Sequence, residues 1–222
     1  MEVPSAHTAD EEVRRERERV EAATRTARNR GDYAETTRIV FEAYGQELYS
    51  FALAQFSSEP SSADEVFSQF SEDFWVSLPR FQWRCSARAW CYKLLRNATH
   101  RHRRSPENRA GRRVPLSAVE PWLRELVVAT RHTTQAHLRS EVKDEVRLLR
   151  ERLRPEDQDL LILRVDRNMP WRDIAHAMLP DDAEGPAAEQ RFEATLRRRF
   201  TEVKKRIRKL AIEAGLLESA GG

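Results

Sequence analysis

Cysteine, glycine and long apolar runs are all scarce in this chain. Of its 222 residues only Cys85 and Cys91 are cysteines. That is too few for a disulfide framework, and a C-x5-C pair alone is no zinc site. Glycine occupies only 7 positions. With so much Arg, Glu, Leu and Ala, this favours helices over a turn-rich β fold. No window approaches the roughly 18 consecutive apolar residues of a membrane helix, so no membrane insertion is expected. The opening stretch MEVPSAHTADEEVRRERERV has no apolar core segment and predicts no secretory signal. The expectation is a soluble protein of a reducing compartment, the cytoplasm. Catalytic patterns are missing as well. There is no Ser/His/Asp arrangement, no Gly-rich phosphate loop and no acid pair for metal catalysis. The histidines gather no ligand set, and His100 and His102 lie on a basic segment that repels cations. No catalytic residue, metal or cofactor is expected.

What is present is charge, and it is segregated. The net charge is only +3. Residues 31–80 nevertheless carry two basic and nine acidic side chains. Residues 81–113 carry ten basic and one acidic, and residues 195–222 eight basic and three acidic. Two basic segments suggest two contacts with a polyanion, and the acidic block suggests a different, basic partner.

Apolar spacing divides the chain into two helical domains, giving an all-α fold. Residues 1–33 read as a charged, mobile N-terminal arm; residues 11–30 could form an exposed helix, but its apolar stripe is thin. From 34 to 104, Val40, Tyr44, Leu48, Phe51, Ala52 and Phe56 recur at helical spacing. Ser57, Ser58, Glu59 and Pro60 then break the helix. Ser62 and Glu65 fit a capping box that opens the next one. Its apolar face is Ala63, Val66, Phe67, Phe70, Phe74 and Leu78, with Asp64, Glu65, Ser68, Gln69, Glu72 and Asp73 on the remainder. A loop follows Pro79. The next helix is expected to bury Ala87, Trp90, Cys91, Leu94, Leu95 and Ala98. Lys93, Arg96, His100, Arg103 and Arg104 lie opposite. Residues 105–140, punctuated by prolines, read as a linker too long for one compact domain, within which residues 122–128 could form a short helix that packs on something. The second domain, 141–217, runs through Val142, Val146, Leu149 and Leu153. Helices opened by Pro155 and Pro170 follow, and 218–222 is a tail. Its last helix buries Phe192, Leu196, Phe200, Val203, Ile207 and Leu210.

The last two helices have helix-turn-helix character. Arg191, Thr195, Arg197 and Arg198 stand where a second helix presents base-reading and phosphate-binding groups. A basic terminal helix of a plain bundle fits the same residues. In the first domain, aromatics stand beside arginines at Phe81, Trp83, Arg84, Arg88 and Trp90, a combination suited to unstacked single-stranded bases. Trp90 sits on the apolar stripe and is read as core. Trp83, in the loop, is the better candidate for a base contact.

Taken together, these stretches resemble the extracytoplasmic function group of bacterial RNA polymerase sigma factors. YGQELYSFALAQF, SADEVFSQFSEDFW and RFQWRCSARAWCYKLLRNATHRHRR, over residues 44–104, resemble region 2 of that family. They include an R-x-W-x-Y-x-x-x-R-N stretch at Arg88, Trp90, Tyr92, Arg96 and Asn97. LRERLRPEDQDLLILRVDRNMPWRDIAHAM and ATLRRRFTEVKKRIRKLA resemble region 4. The resemblance implies a sigma factor that directs transcription initiation. Its partners would be core RNA polymerase, through the β′ clamp helices and the β flap, and promoter DNA. An anti-sigma factor is a further candidate partner. It also implies site residues. Asp64, Glu65, Ser68, Gln69 and Glu72 would face the clamp. Trp83, Arg84, Arg88, Asn97, His100, Arg101, Arg103 and Arg104 would lie near the −10 element. Arg191, Thr195, Arg197, Arg198, Arg199 and Lys205 would meet the −35 element. Two departures stand out. The family's acid, Gln, acid order on the clamp-facing surface reads Glu65, Ser68, Gln69 here. Its tight turn before the recognition helix is replaced by residues 179–194, unless that helix starts near Pro186. Two other readings are an autonomous helix-turn-helix regulator and a helical scaffold whose basic faces bind acidic proteins.

Overall fold

The computed structural model describes residues 6–56, 59–104, 121–138, 144–180, 183 and 185–217. Among them the fold is all-α, and the chain divides into two compact units, residues 1–135 and 136–222. No described helix is long and apolar enough to cross a membrane.

The first unit contains α1 (Ala6–Asn29), α2 (Tyr33–Gln55), α3 (Pro60–Ser77), a 3-10 turn (Leu78–Arg80), α4 (Ala87–Arg104) and most of α5 (Pro121–Leu138). In the stretch expected as a mobile arm, with an exposed helix possible over 11–30, α1 is a helix packed along α2. The joint between them is well specified. Asp32 N–H bonds Ala27 O at 3.1 Å, and Gly31 N–H bonds Arg28 O at 2.9 Å. This is a Schellman closure with Gly31 at φ 76°, a conformation open to glycine. The Asp32 carboxylate then caps α2 by accepting from Glu35 N–H at 2.9 Å.

The α3 start is corrected. Pro60 occupies the first turn behind Glu59, and Ser62 lies buried inside the helix rather than capping it. Proline is favoured there because its fixed φ suits the helix and no donor is needed. The core of the unit is aromatic. The Phe41 ring lies 5.8 Å from both Phe70 and Phe74, and Tyr49 lies 5.1 Å from Phe67. Phe51 meets Tyr92 of α4 edge-on at 5.3 Å. Helix α4 is buried over a wider arc than expected. Arg96, placed on its polar face, is buried, as are Arg88, Tyr92 and Thr99.

In the linker expected over 105–140, the possible short helix at 122–128 lies within the longer α5. Residues 105–120 lie outside the described set, but α5 packs on the first unit with Leu123 and Val127 fully buried. Its Thr130 comes so close to α2 that a β-carbon at Gly45 would stand 3.0 Å from Thr130 Cγ2.

The second unit holds α6 (Asp144–Glu151), α7 (Pro155–Leu161) continuing into a π-helical turn (Ile162–Asp166), α8 (Trp171–Met178) and α9 (Pro186–Glu213). Val142 and the side chain of Val146 lie outside the described residues. Leu149, Leu153, Leu161, Val203, Leu210 and Ala211 form one cluster, with Phe200 and Ile207 packed against it. Trp171 of α8 meets Phe200 of α9 at 5.5 Å.

Candidate nucleic-acid interface

The aromatic loop between α3 and α4 is held by α1 at both ends. Arg28 donates to Pro79 O at 2.7 Å. The Glu21 carboxylate accepts from the backbone N–H of Ala87 at 2.9 Å and of Arg88 at 3.2 Å. These are first-turn donors of α4 with no partner inside the helix, so a distant carboxylate caps it. Ser86 Oγ accepts a third, from Ala89, at 3.1 Å. Replacing Glu21 with alanine is therefore expected to cost about 1–2 kcal/mol. The check is a fall in the urea midpoint at unchanged m-value.

Within that loop, Phe81 is buried and stacks on Trp90 at 4.3 Å. Trp83 lies 4.7 Å from Phe81, and the Arg25 guanidinium covers its ring at 4.7 Å. Its backbone sits at φ 57°, an unusual conformation for a bulky side chain. Its indole N–H is buried and meets no acceptor among the described residues. Trp83 is thus half-buried under a cation rather than displayed.

Arg88 is corrected. It is 4% exposed and grips Glu47 in a fork, Nε to Oε1 at 2.6 Å and Nη2 to Oε2 at 2.7 Å. Burial alone disfavours its charge, but the hydrogen bonds and charge of Glu47 outweigh that and raise its pKa. Both side chains are occupied inside the unit, so in this conformation Arg88 is not presented to DNA. Burial likewise pushes the Cys91 thiol well above its ordinary range, as expected of a packed cysteine. Asn97 and His100 are half-buried. Arg84, Arg101, Arg103 and Arg104 are exposed. Arg101 pairs with Asp73, and Arg103 donates to Gln55 Oε1 at 2.8 Å. Three of these arginines end α4, where they also oppose the helix dipole.

The face of α3 expected to meet the polymerase is largely occupied. Asp64 Oδ1 accepts from Tyr49 Oη at 2.5 Å. Arg131 of α5 donates to Asp64 O and to Ser68 Oγ, with its Nε 3.6 Å from Asp64 Oδ1. Gln69 donates to Asp73 at 3.1 Å. Glu72 is corrected from surface to interior, being 5% exposed. Of that group only Glu65 is exposed, with His102 Nδ1 at 3.8 Å. Nothing in the spacing of 105–140 pointed to Arg131.

In the second unit α8 and α9 pack as a pair joined by a short connection. Gly185, at φ 98°, delivers the chain to Pro186, the first residue of α9. No insertion reaches Ala194. His176 Nδ1 of α8 lies 3.5 Å from Glu189 of α9. Gln190, Arg191, Ala194, Thr195 and Arg198 are exposed at spacings that share one face. Thr195 Oγ1 bonds Arg191 O at 3.0 Å. Arg197 is paired with Glu193 at 2.6 Å and lies 5.2 Å from the Trp171 ring. Lys205 pairs with Glu202 at 2.9 Å. Arg199 is corrected: half-buried, it donates to the buried Asp157 at 2.6 Å and ties α9 to α7. Gln190 was missed because the helix starts earlier than its apolar stripe does.

Among the described residues no group of three or more His, Cys, Asp or Glu is placed to hold a metal ion. No family model, curated protein or solved structure matches this chain.

Proposed function

We propose that this chain is a sigma-like transcription initiation factor that joins core RNA polymerase in the cytoplasm and directs it to promoter DNA. The observation that carries the reading is the pairing of two different basic surfaces on two helical units. One unit combines an aromatic loop with the arginine-rich end of α4, a chemistry suited to unpaired bases. The other presents the exposed face of α9 behind α8, a geometry suited to duplex grooves. A duplex-binding regulator needs only the second. In this reading the chain carries out no bond chemistry, and nucleotide addition belongs to the polymerase.

The test is run-off transcription on genomic fragments by core polymerase with and without the chain. Discrete new transcripts are expected only when it is added. Glu65, the exposed acid of α3, supplies a second check. Glu65→Lys is expected to weaken co-purification with core polymerase while leaving the helical circular-dichroism signal unchanged. Tight duplex binding by the chain alone, with no effect of polymerase, would instead favour an autonomous regulator.

A further inference from the structure

We propose that α5 is a displaceable intramolecular occupant of the acidic face of α3, standing where the basic partner of that face would bind. The inference rests on the polymerase-binding reading above and adds its regulation. The acidic stretch 31–80 calls for a basic partner, and α5 already supplies one. Arg131 reaches across to Asp64 and Ser68, two of the groups assigned to that contact. The Arg131 side chain is only 19% exposed and occupies Asp64 O and Ser68 Oγ. A basic partner therefore has to compete with it for that part of the face, although the Asp64 side chain stays 39% exposed. Trp122 at the other end of α5 meets Trp75 of α3 at 5.5 Å, so the helix lies along α3 rather than touching it at one point.

The attachment is built to be lighter than the rest of the unit. Helix α2 buries Val40, Phe41, Tyr44, Leu48, Tyr49 and Phe51 among others. Among the described side chains of α5 only Leu123 and Val127 are fully buried apolar ones, and Val128 faces solvent. A segment with few buried apolar contacts opens at lower free energy than the core around it. A partner that binds only the open state has its apparent affinity reduced by the open fraction. Loosening α5 must then strengthen partner binding, whereas a permanent structural helix would do the reverse.

The experiment measures core polymerase binding by the full chain in three forms. Arg131→Ala removes the charged donor and should bind about tenfold more tightly, the weight of one charge-assisted hydrogen bond. Gly45→Cys with Thr130→Cys pins α5, because the two positions are already in contact. The oxidised form should lose binding and the reduced form regain it. Hydrogen exchange should show amides of 121–134 losing protection in the complex while those of α2 keep theirs. Equal binding by wild type, Arg131→Ala and the oxidised cross-linked form would keep the polymerase reading and overturn the cover. Weaker binding by a folded Arg131→Ala would overturn it too. If Arg131→Ala does not fold, the cross-linked pair decides alone. If no form binds core polymerase, the polymerase reading fails, and this inference falls with it.

Discussion

Arg88→Ala is expected to destabilise the first unit by about 3 kcal/mol, the lower end of the range for breaking a buried ion pair. The guanidinium is almost fully buried and holds Glu47 in a fork. Removing it takes the fork from the Glu47 carboxylate and the guanidinium from over the Tyr44 ring. The Glu47 side chain is 21% exposed, so its charge partly rehydrates, which keeps the loss near that lower end. Arg17 of α1 is coupled to the same pair. Burial, then Arg88, lowers its pKa, while Glu47 raises it, so losing Arg88 eases Arg17. Replacing both partners, Arg88→Met with Glu47→Leu, should recover most of the stability, because the desolvation cost goes with the charges. Urea denaturation of the full chain followed by tryptophan fluorescence measures both. An unchanged midpoint for Arg88→Ala with a loss of promoter opening would return Arg88 to the DNA surface.

That pair shows where the sequence was legible and where it was not. The all-α class and the two-unit division could be read because apolar spacing reports on local burial. The Phe67, Phe70 and Phe74 stripe and the Leu196, Val203 and Leu210 stripe both lie inward. Helices over parts of 11–30 and 122–128 could be read, but not that both belong to the first unit. Helix α1 is fixed by Thr24, Ala27, Glu21 and Arg28, and α5 by Arg131 with two aliphatic side chains. A stripe made of small and polar residues has almost no periodic signal, and its partners are 51 to 67 residues away. Arginines were misjudged for the same reason. A count of charges cannot separate Arg84, which is exposed, from Arg88 and Arg96, which are buried, or from Arg199, which is half-buried and paired. Composition therefore overstated the number of cations available to a polyanion, although the ends of α4 and α9 keep several.

The start of α9 changes which residues should read sequence in the proposed promoter complex. Recognition helices meet base edges with their first turns, and later turns approach the backbone. From Pro186, Arg191 lies about 7 Å along the axis and Arg198 about 18 Å. Arg191 and the neighbouring Gln190 are exposed, and both side-chain types can bond a base in a two-point contact, Arg to guanine and Gln to adenine. Arg191→Ala is thus expected to erase preference at one −35 base pair, a change of about 10- to 100-fold between matched and mismatched promoters. Arg198→Ala should instead weaken every promoter alike and reduce the salt slope by about 0.9, the signature of one lost phosphate contact. Transcription from promoter variants across a salt series measures both effects. The opposite assignment, with Arg198 giving the base preference, would mean that α9 enters the groove about two turns deeper than its first residues. The Thr195 hydroxyl, bonded to Arg191 O, would then be the nearest neighbour of the base edge. Uniform losses for both variants would leave α9 as a phosphate-binding helix and move sequence reading elsewhere.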